Sequence, residues 1–159
     1  MAHSKQAEIG RCDLLAGLRR GPTRRLLAGS ESFTVPAGGL ILVEGDPSND
    51  AYVLLQGALA VETRRTHLAY LTAGDHFGEV GVLTGRARSA TVEAIEASQV
   101  LRIDGTRFRA TFRRFGSFRA AVEDEFARRS LTVPEDRHPS TTGARHHRLP
   151  RLDLVPASA

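Results

Sequence analysis

Hydrophobic spacing along the chain switches from helical to strand-like and back. Between Asp13 and Ala28, leucines recur at near-helical intervals (Leu14, Leu15, Leu18, then Leu26 and Leu27), with Gly21-Pro22 between the two groups. Two short helices are expected over residues 13–28, with Asp13 and Thr23 as N-caps. From residue 30 to 103 the apolar runs become short, rich in β-branched residues and separated by turn signals. Expected strands are Phe33–Val35, Leu40–Val43, Ala51–Leu55, Ala58–Val61, Leu68–Leu71, Ser89–Ala94 and Gln99–Ile103. Closely spaced strands with frequent turns predict an antiparallel sandwich or barrel, a mainly β fold with flanking helices. One short helical turn, Gly78 to Thr84, interrupts the strands. Helical spacing returns over residues 106–130. Phe108, Phe112 and Phe115 form one stripe and Phe118, Val122 and Phe126 another, with Gly116 between two helices. The phenylalanines are expected to cover the open end of the β-domain. Residues 1–12 read as a loose N-terminus and 131–159, rich in Pro, Ser, Thr, His and Arg, as a disordered tail.

Composition narrows the classes. A chain of 159 residues suffices for one domain with a real core. The formal charge is +4 and Lys5 is the only lysine, so arginine carries the positive charge. Arginine suits planar, bidentate phosphate recognition. Cys12 is the only cysteine, which rules out an internal disulfide and a cysteine metal cluster. The sequence has neither an 18-residue apolar stretch nor a signal-peptide layout, and a cytoplasmic protein without membrane contact is expected.

Residues 74–92 hold the candidate chemistry. A helical turn beginning at Gly78 offers unpaired N–H groups, and glycine lets backbone approach a ligand closely. Glu79 in its first turn can accept hydrogen bonds from hydroxyls. Arg88, at the mouth of the next strand, can fold back over the same helix, and Ser89 adds a hydroxyl. Anion seat, cation and carboxylate together suit a ligand with both a phosphate and a sugar diol.

The run Gly74-Asp75-His76-Phe77-Gly78-Glu79 and the run Arg88-Ser89-Ala90-Thr91-Val92 resemble the phosphate-binding cassette of the cyclic-nucleotide-binding domain. Gly38, Gly45 and Gly57 fall where the turns of that family's β-roll require them, and the resemblance spans Leu14 to Arg129. It implies an antiparallel, jelly-roll-like β-roll of about eight strands with helices at both ends. It also implies a set of roles. Glu79 would bond the ribose 2′-hydroxyl, and Arg88 the exocyclic phosphate oxygens. Phe77 belongs to the motif, Gly78, Val80 and Ala90 would lend backbone N–H groups, and Ser89 would touch the phosphate. Ala87 and Gly81 stand where many members have proline and alanine, as in members resembling the catabolite activator. Ser89 is shorter than the threonine of some members that prefer cyclic GMP, so the implied ligand is cyclic AMP rather than cyclic GMP, with no other cofactor.

Other classes fit less well. A cupin-type metal site needs paired histidines, whereas His67 and His76 are far apart and His146-His147 are adjacent in the tail. No nucleophile elbow is visible, and catalysis is not expected. Bacterial relatives often carry a helix-turn-helix after the last helix. Here the stretch after Arg129 is broken by Pro134, Pro139, Pro150 and Pro156 and cannot build one. Arg137, Arg145, Arg148 and Arg151 offer at most non-specific contacts, so nucleic acid is not an expected partner. The expected partner is a second copy, through the Phe118–Val122–Phe126 face, or another protein. A DNA-associated regulator and a β-roll kept only for its surface are the alternatives.

Overall fold

The computed structural model describes residues 9–131. The expectations for residues 1–8 and for the tail from 132 onward lie outside them. Two short helices, α1 (Asp13–Ala16) and α2 (Arg20–Leu26), lead into eight strands. These are β1 (Glu31–Val35), β2 (Leu40–Leu42), β3 (Asp50–Gln56), β4 (Ala58–Glu62), β5 (His67–Thr72), β6 (His76–Phe77), β7 (Thr91–Ala94) and β8 (Ser98–Asp104). Helix α3 (Glu79–Thr84) separates β6 from β7, and α4 (Gly105–Arg114) and α5 (Gly116–Leu131) close the domain. Among the described residues no helix is long and apolar enough to cross a membrane.

The strands form two antiparallel four-stranded sheets, ordered β1-β8-β3-β6 and β2-β7-β4-β5. Their packing follows from period-2 alternation. In β3 and β8, Leu54 and Val100 point between the sheets, where they meet Leu42, Leu59, Leu71, Phe77 and Val92. The alternate residues Ala51, Val53, Leu101 and Ile103 point the other way, onto the helices. The centre of that sheet is therefore covered on both faces, which is why Ala51–Leu55 of β3 is an unbroken apolar run, while β8 keeps Val100, Leu101 and Ile103 apolar around the exposed Arg102. Strand β6 escaped the hydrophobic pattern because two residues carry no period. It is fixed by pairing, with Val53 opposite His76 and Tyr52 opposite Phe77.

Several expectations are corrected. The helix break falls after Ala16, not at Gly21-Pro22. Pro22 sits in the first turn of α2, where its missing N–H costs nothing. The N-caps are Cys12 and Arg19 rather than Asp13 and Thr23. Thr23 lies inside α2, its hydroxyl donating to the Arg19 carbonyl at 3.0 Å. Gly17 ends α1 because α5 crosses it: Ser117 Oγ donates to Gly17 O at 3.0 Å, and a Cβ on Gly17 would lie 2.8 Å from Ser117 Cβ. Cys12 is not loose but buried in the helix-side core, which pushes its thiol up to about 11. Helix α5 continues through Leu131.

Phe108, Phe112 and Phe118 cover a sheet face, not the open end, whereas Phe126 lines a pocket. Phe108, Phe112 and Phe118 are buried against β3, β8, α1 and α2. This also removes the expected dimer face, since Phe118 and Val122 are fully buried within the chain's own core.

Candidate functional site

The loop before β7 is clamped to the loop after β2. Arg88 N donates to Asp46 O at 2.8 Å, and Gly45 N donates to Arg88 O at 2.9 Å. These bonds aim the Arg88 side chain inward. Its Nη1 donates to Gly78 O and its Nη2 to Asp50 O, each at 2.8 Å. The guanidinium lies 5.7 Å from the centre of the Tyr52 ring, which stacks on Phe77. Burial pulls the Arg88 pKa below its ordinary value. Gly78 has φ +79°, and a Cβ there would lie 2.9 Å from Arg88 Nη1, so glycine is what lets the arginine fold over the start of α3. Gly81 is glycine for a similar reason, since a Cβ would run into the Ser48 hydroxyl.

Glu79, the first residue of α3, is buried. Its Oε1 lies 3.5 Å from Arg129 Nη1, and its Oε2 has no hydrogen-bond partner among the described residues. Glu79 and Arg88 share the site without pairing to each other. Arg88 is held by backbone carbonyls instead, and Arg129 has taken the carboxylate.

These groups share one pocket of about 210 Å³. All of the expected site residues line it: Phe77, Gly78, Glu79, Val80, Arg88, Ser89 and Ala90. Leu42, Val61, Leu68 and Val92 of the β-roll supply an apolar wall. Ser89 is exposed at the rim, whereas Ala90 is buried. The arrangement is a cation and a carboxylate in a largely apolar cleft, suited to one small anionic ligand that carries hydroxyls.

The sequence comparisons agree with this geometry. The family described as "Cyclic nucleotide-binding domain" matches residues 32–115 of the 159. The chain belongs to the cyclic nucleotide-binding domain family. A sequence assigned as a potassium channel protein in Rhodopseudomonas palustris is 28% identical over 112 residues, which is 67% of this chain and 26% of that one. The chain thus spans about a quarter of that relative's length. The structure of cAMP-bound PfPKA-R superposes with a TM-score of 0.71 at 20% identity, over 81% of this chain and 45% of that one. The Thermus thermophilus catabolite activator protein gives 0.64 at 26% identity, over 75% and 58%.

Neither the apolar wall nor any residue of α5 was among the site residues expected from the sequence. Phe126 and Arg129 reach the pocket from α5. Phe126 is the last member of a helical stripe whose other members, Phe118 and Val122, are core. The signal was the length of the stripe, which outruns the sheet it covers. Nothing in the spacing singled out Arg129.

His76 lies just before the glycine turn. It is buried, and its Nε2 has no hydrogen-bond partner among the described residues. Burial lowers its pKa below 6.5, partly offset by Glu79, while Arg129 lowers it further and Glu125 and Asp75 raise it. The unfolded chain therefore takes up this proton at a higher pH than the folded one. The stability contributed is full above pH 6.5 and is lost as pH falls through the lower folded value. The melting temperature should drop between pH 7.5 and 5.5, and His76→Gln should flatten that dependence. An unchanged slope in the variant would assign it to other groups.

Proposed function

We propose that this domain binds a cyclic mononucleotide, cyclic AMP in preference to cyclic GMP, as a sensor whose state is read by a partner. The observation that carries the reading is the burial of Arg88 and Glu79 in one apolar-walled pocket. Burying charge is costly unless something repays it, and a β-roll kept only for its surface would gain nothing from either residue. Arg88 is fixed by two carbonyls, yet its guanidinium has more donors than they use. Those remaining donors fit the exocyclic phosphate oxygens. Glu79 fits the ribose 2′-hydroxyl, the backbone N–H groups of Val80 and Ala90 fit the phosphate, and Ser89 adds a hydroxyl. The cyclic AMP in PfPKA-R, a domain of the same fold, supports that base, as does the short Ser89 side chain.

Signalling would be a population shift. Helix α5 already lines the pocket through Phe126 and Arg129, so occupancy of the pocket would bear directly on how α5 sits. The reader is a second copy or another protein, using surface other than the buried Phe118–Val122 face. A match to one segment of a longer relative fits a module read by something else.

A thermal-shift titration with cyclic AMP and cyclic GMP tests this reading. At about a hundred times its dissociation constant, a ligand adds roughly 2.7 kcal/mol. That is a rise of roughly 5–10 °C for a domain of this size. A rise with cyclic AMP at lower concentration than with cyclic GMP is expected. No rise with either would reject the sensor.

A further inference from the structure

Glu79 is the carboxylate that the proposed function assigns to a ribose hydroxyl, yet it already faces a cation. Arg129 approaches it from the last turns of α5, Nη1 to Oε1 at 3.5 Å. The same guanidinium donates from Nη2 to the His76 carbonyl. Its Nε donates to Glu125 Oε1 at 2.9 Å, one turn back on α5. All three nitrogens are therefore directed, and the planar fork is held between β6, the start of α3 and its own helix. Exposure is 4% for the Glu79 side chain and 23% for that of Arg129, so water screens the pair only weakly.

We propose that Arg129 is an internal competitor for the ribose subsite: it holds the Glu79 carboxylate against the hydroxyl of the ligand and so sets the affinity of the pocket. The proposal rests on the reading of this pocket as a cyclic-nucleotide site. Its physical basis is that two partners draw on one carboxylate: Arg129 Nη1 faces Oε1, and only Oε2, without a hydrogen-bond partner among the described residues, is left for a sugar hydroxyl, beside a guanidinium that lines the same pocket. A carboxylate that faces a cation is a weaker acceptor for a neutral hydroxyl, so a full contact with the ligand carries the cost of drawing Glu79 away from Arg129. The measured affinity is the intrinsic affinity reduced by the fraction of molecules in which the pair is open. Because Arg129 rides on α5, exchanging it for ligand also ties occupancy of the pocket to the seating of that helix.

Glu125 provides a second handle. It does not line the pocket, but it anchors Arg129 from the side. Loosening that anchor should weaken the grip on Glu79 while leaving the ligand's own contacts in place.

Fluorescent cyclic AMP titrations on the full chain should therefore show Arg129→Gln binding about tenfold tighter than the unaltered protein. Glu125→Gln should shift in the same direction by a smaller factor. Should Arg129→Gln fail to fold, Glu125→Gln alone decides. Affinity unchanged or weakened in the folded variants would overturn the proposal, weakening meaning that Arg129 holds the ligand instead. Absence of binding in the unaltered protein with binding in Arg129→Gln would support it in its strongest form. Absence of binding in all three would overturn both this proposal and the nucleotide reading of the pocket.

Discussion

Arg88→Ala should weaken cyclic AMP binding on the order of a thousandfold while leaving the fold nearly as stable as before. The two effects separate because, in the proposed function, the arginine serves a ligand rather than the core. A bidentate contact from guanidinium to phosphate comprises charge-assisted hydrogen bonds, each contributing about 1.5–3 kcal/mol. Losing a pair of them, and leaving the phosphate over an apolar wall, costs about 3–5 kcal/mol of binding. In folding, the account is more even. The side chain donates to Gly78 O and Asp50 O, and both carbonyls lose a partner in the variant. Against that, burial disfavours the charged guanidinium, as its lowered pKa shows, and alanine removes this cost. The net change in stability should stay within about 2 kcal/mol. Arg88→Lys should not restore binding, since a single ammonium cannot span the Gly78 and Asp50 carbonyls and still present a planar fork. Calorimetric titration beside a denaturation curve separates the two quantities. Unchanged affinity in a folded Arg88→Ala protein would remove this residue from the site.

The fold was legible wherever one rule acted alone. Strands β1 to β5, β7 and β8 were bounded by glycine, proline and charged turns, and their apolar residues alternate or run together as burial requires. The helical turn at Glu79–Thr84 stood out because it broke that rhythm. Misreadings arose where two rules competed. Pro22 breaks helices in their interior but is tolerated in a first turn, and only the packing of Gly17 against Ser117 decided where α1 ends. Phe118, Val122 and Phe126 are one stripe by spacing but serve two ends, because α5 extends past the sheet and carries Phe126 over the pocket. The candidate site divides in the same way. Glu79 and Arg88 were marked by a local motif, nine positions apart in one cassette. Arg129 reaches the site through a contact 50 positions distant from Glu79, which no local pattern encodes. The supports of Arg88 were equally hidden, since Asp50 contributes a backbone carbonyl that any residue type would offer.

Phe108→Ala should give the largest loss of stability, about 3–5 kcal/mol, and a fall in melting temperature of roughly 10–15 °C. Phe108 has no exposed surface and packs with Leu14, Leu26, Val53 and Ile103 beneath the helices. Its ring meets Phe118 edge to face, with centres 5.2 Å apart and planes at 68°. That pair adds about 0.5–1.5 kcal/mol beyond area burial. Collapse cannot fill the resulting cavity easily, because one wall is the hydrogen-bonded β3–β8 ladder. The loss is large against a total stability of about 5–15 kcal/mol. It also bears on function through geometry. The Phe108–Phe118 contact joins α4 to α5, and α5 is what brings Phe126 and Arg129 to the pocket. At temperatures where the variant remains folded, its nucleotide affinity should change even though Phe108 does not line the site. Denaturant melts and binding titrations on the same sample check both halves. A loss below about 1 kcal/mol would mean that the helix pair is not seated on the sheet through this ring.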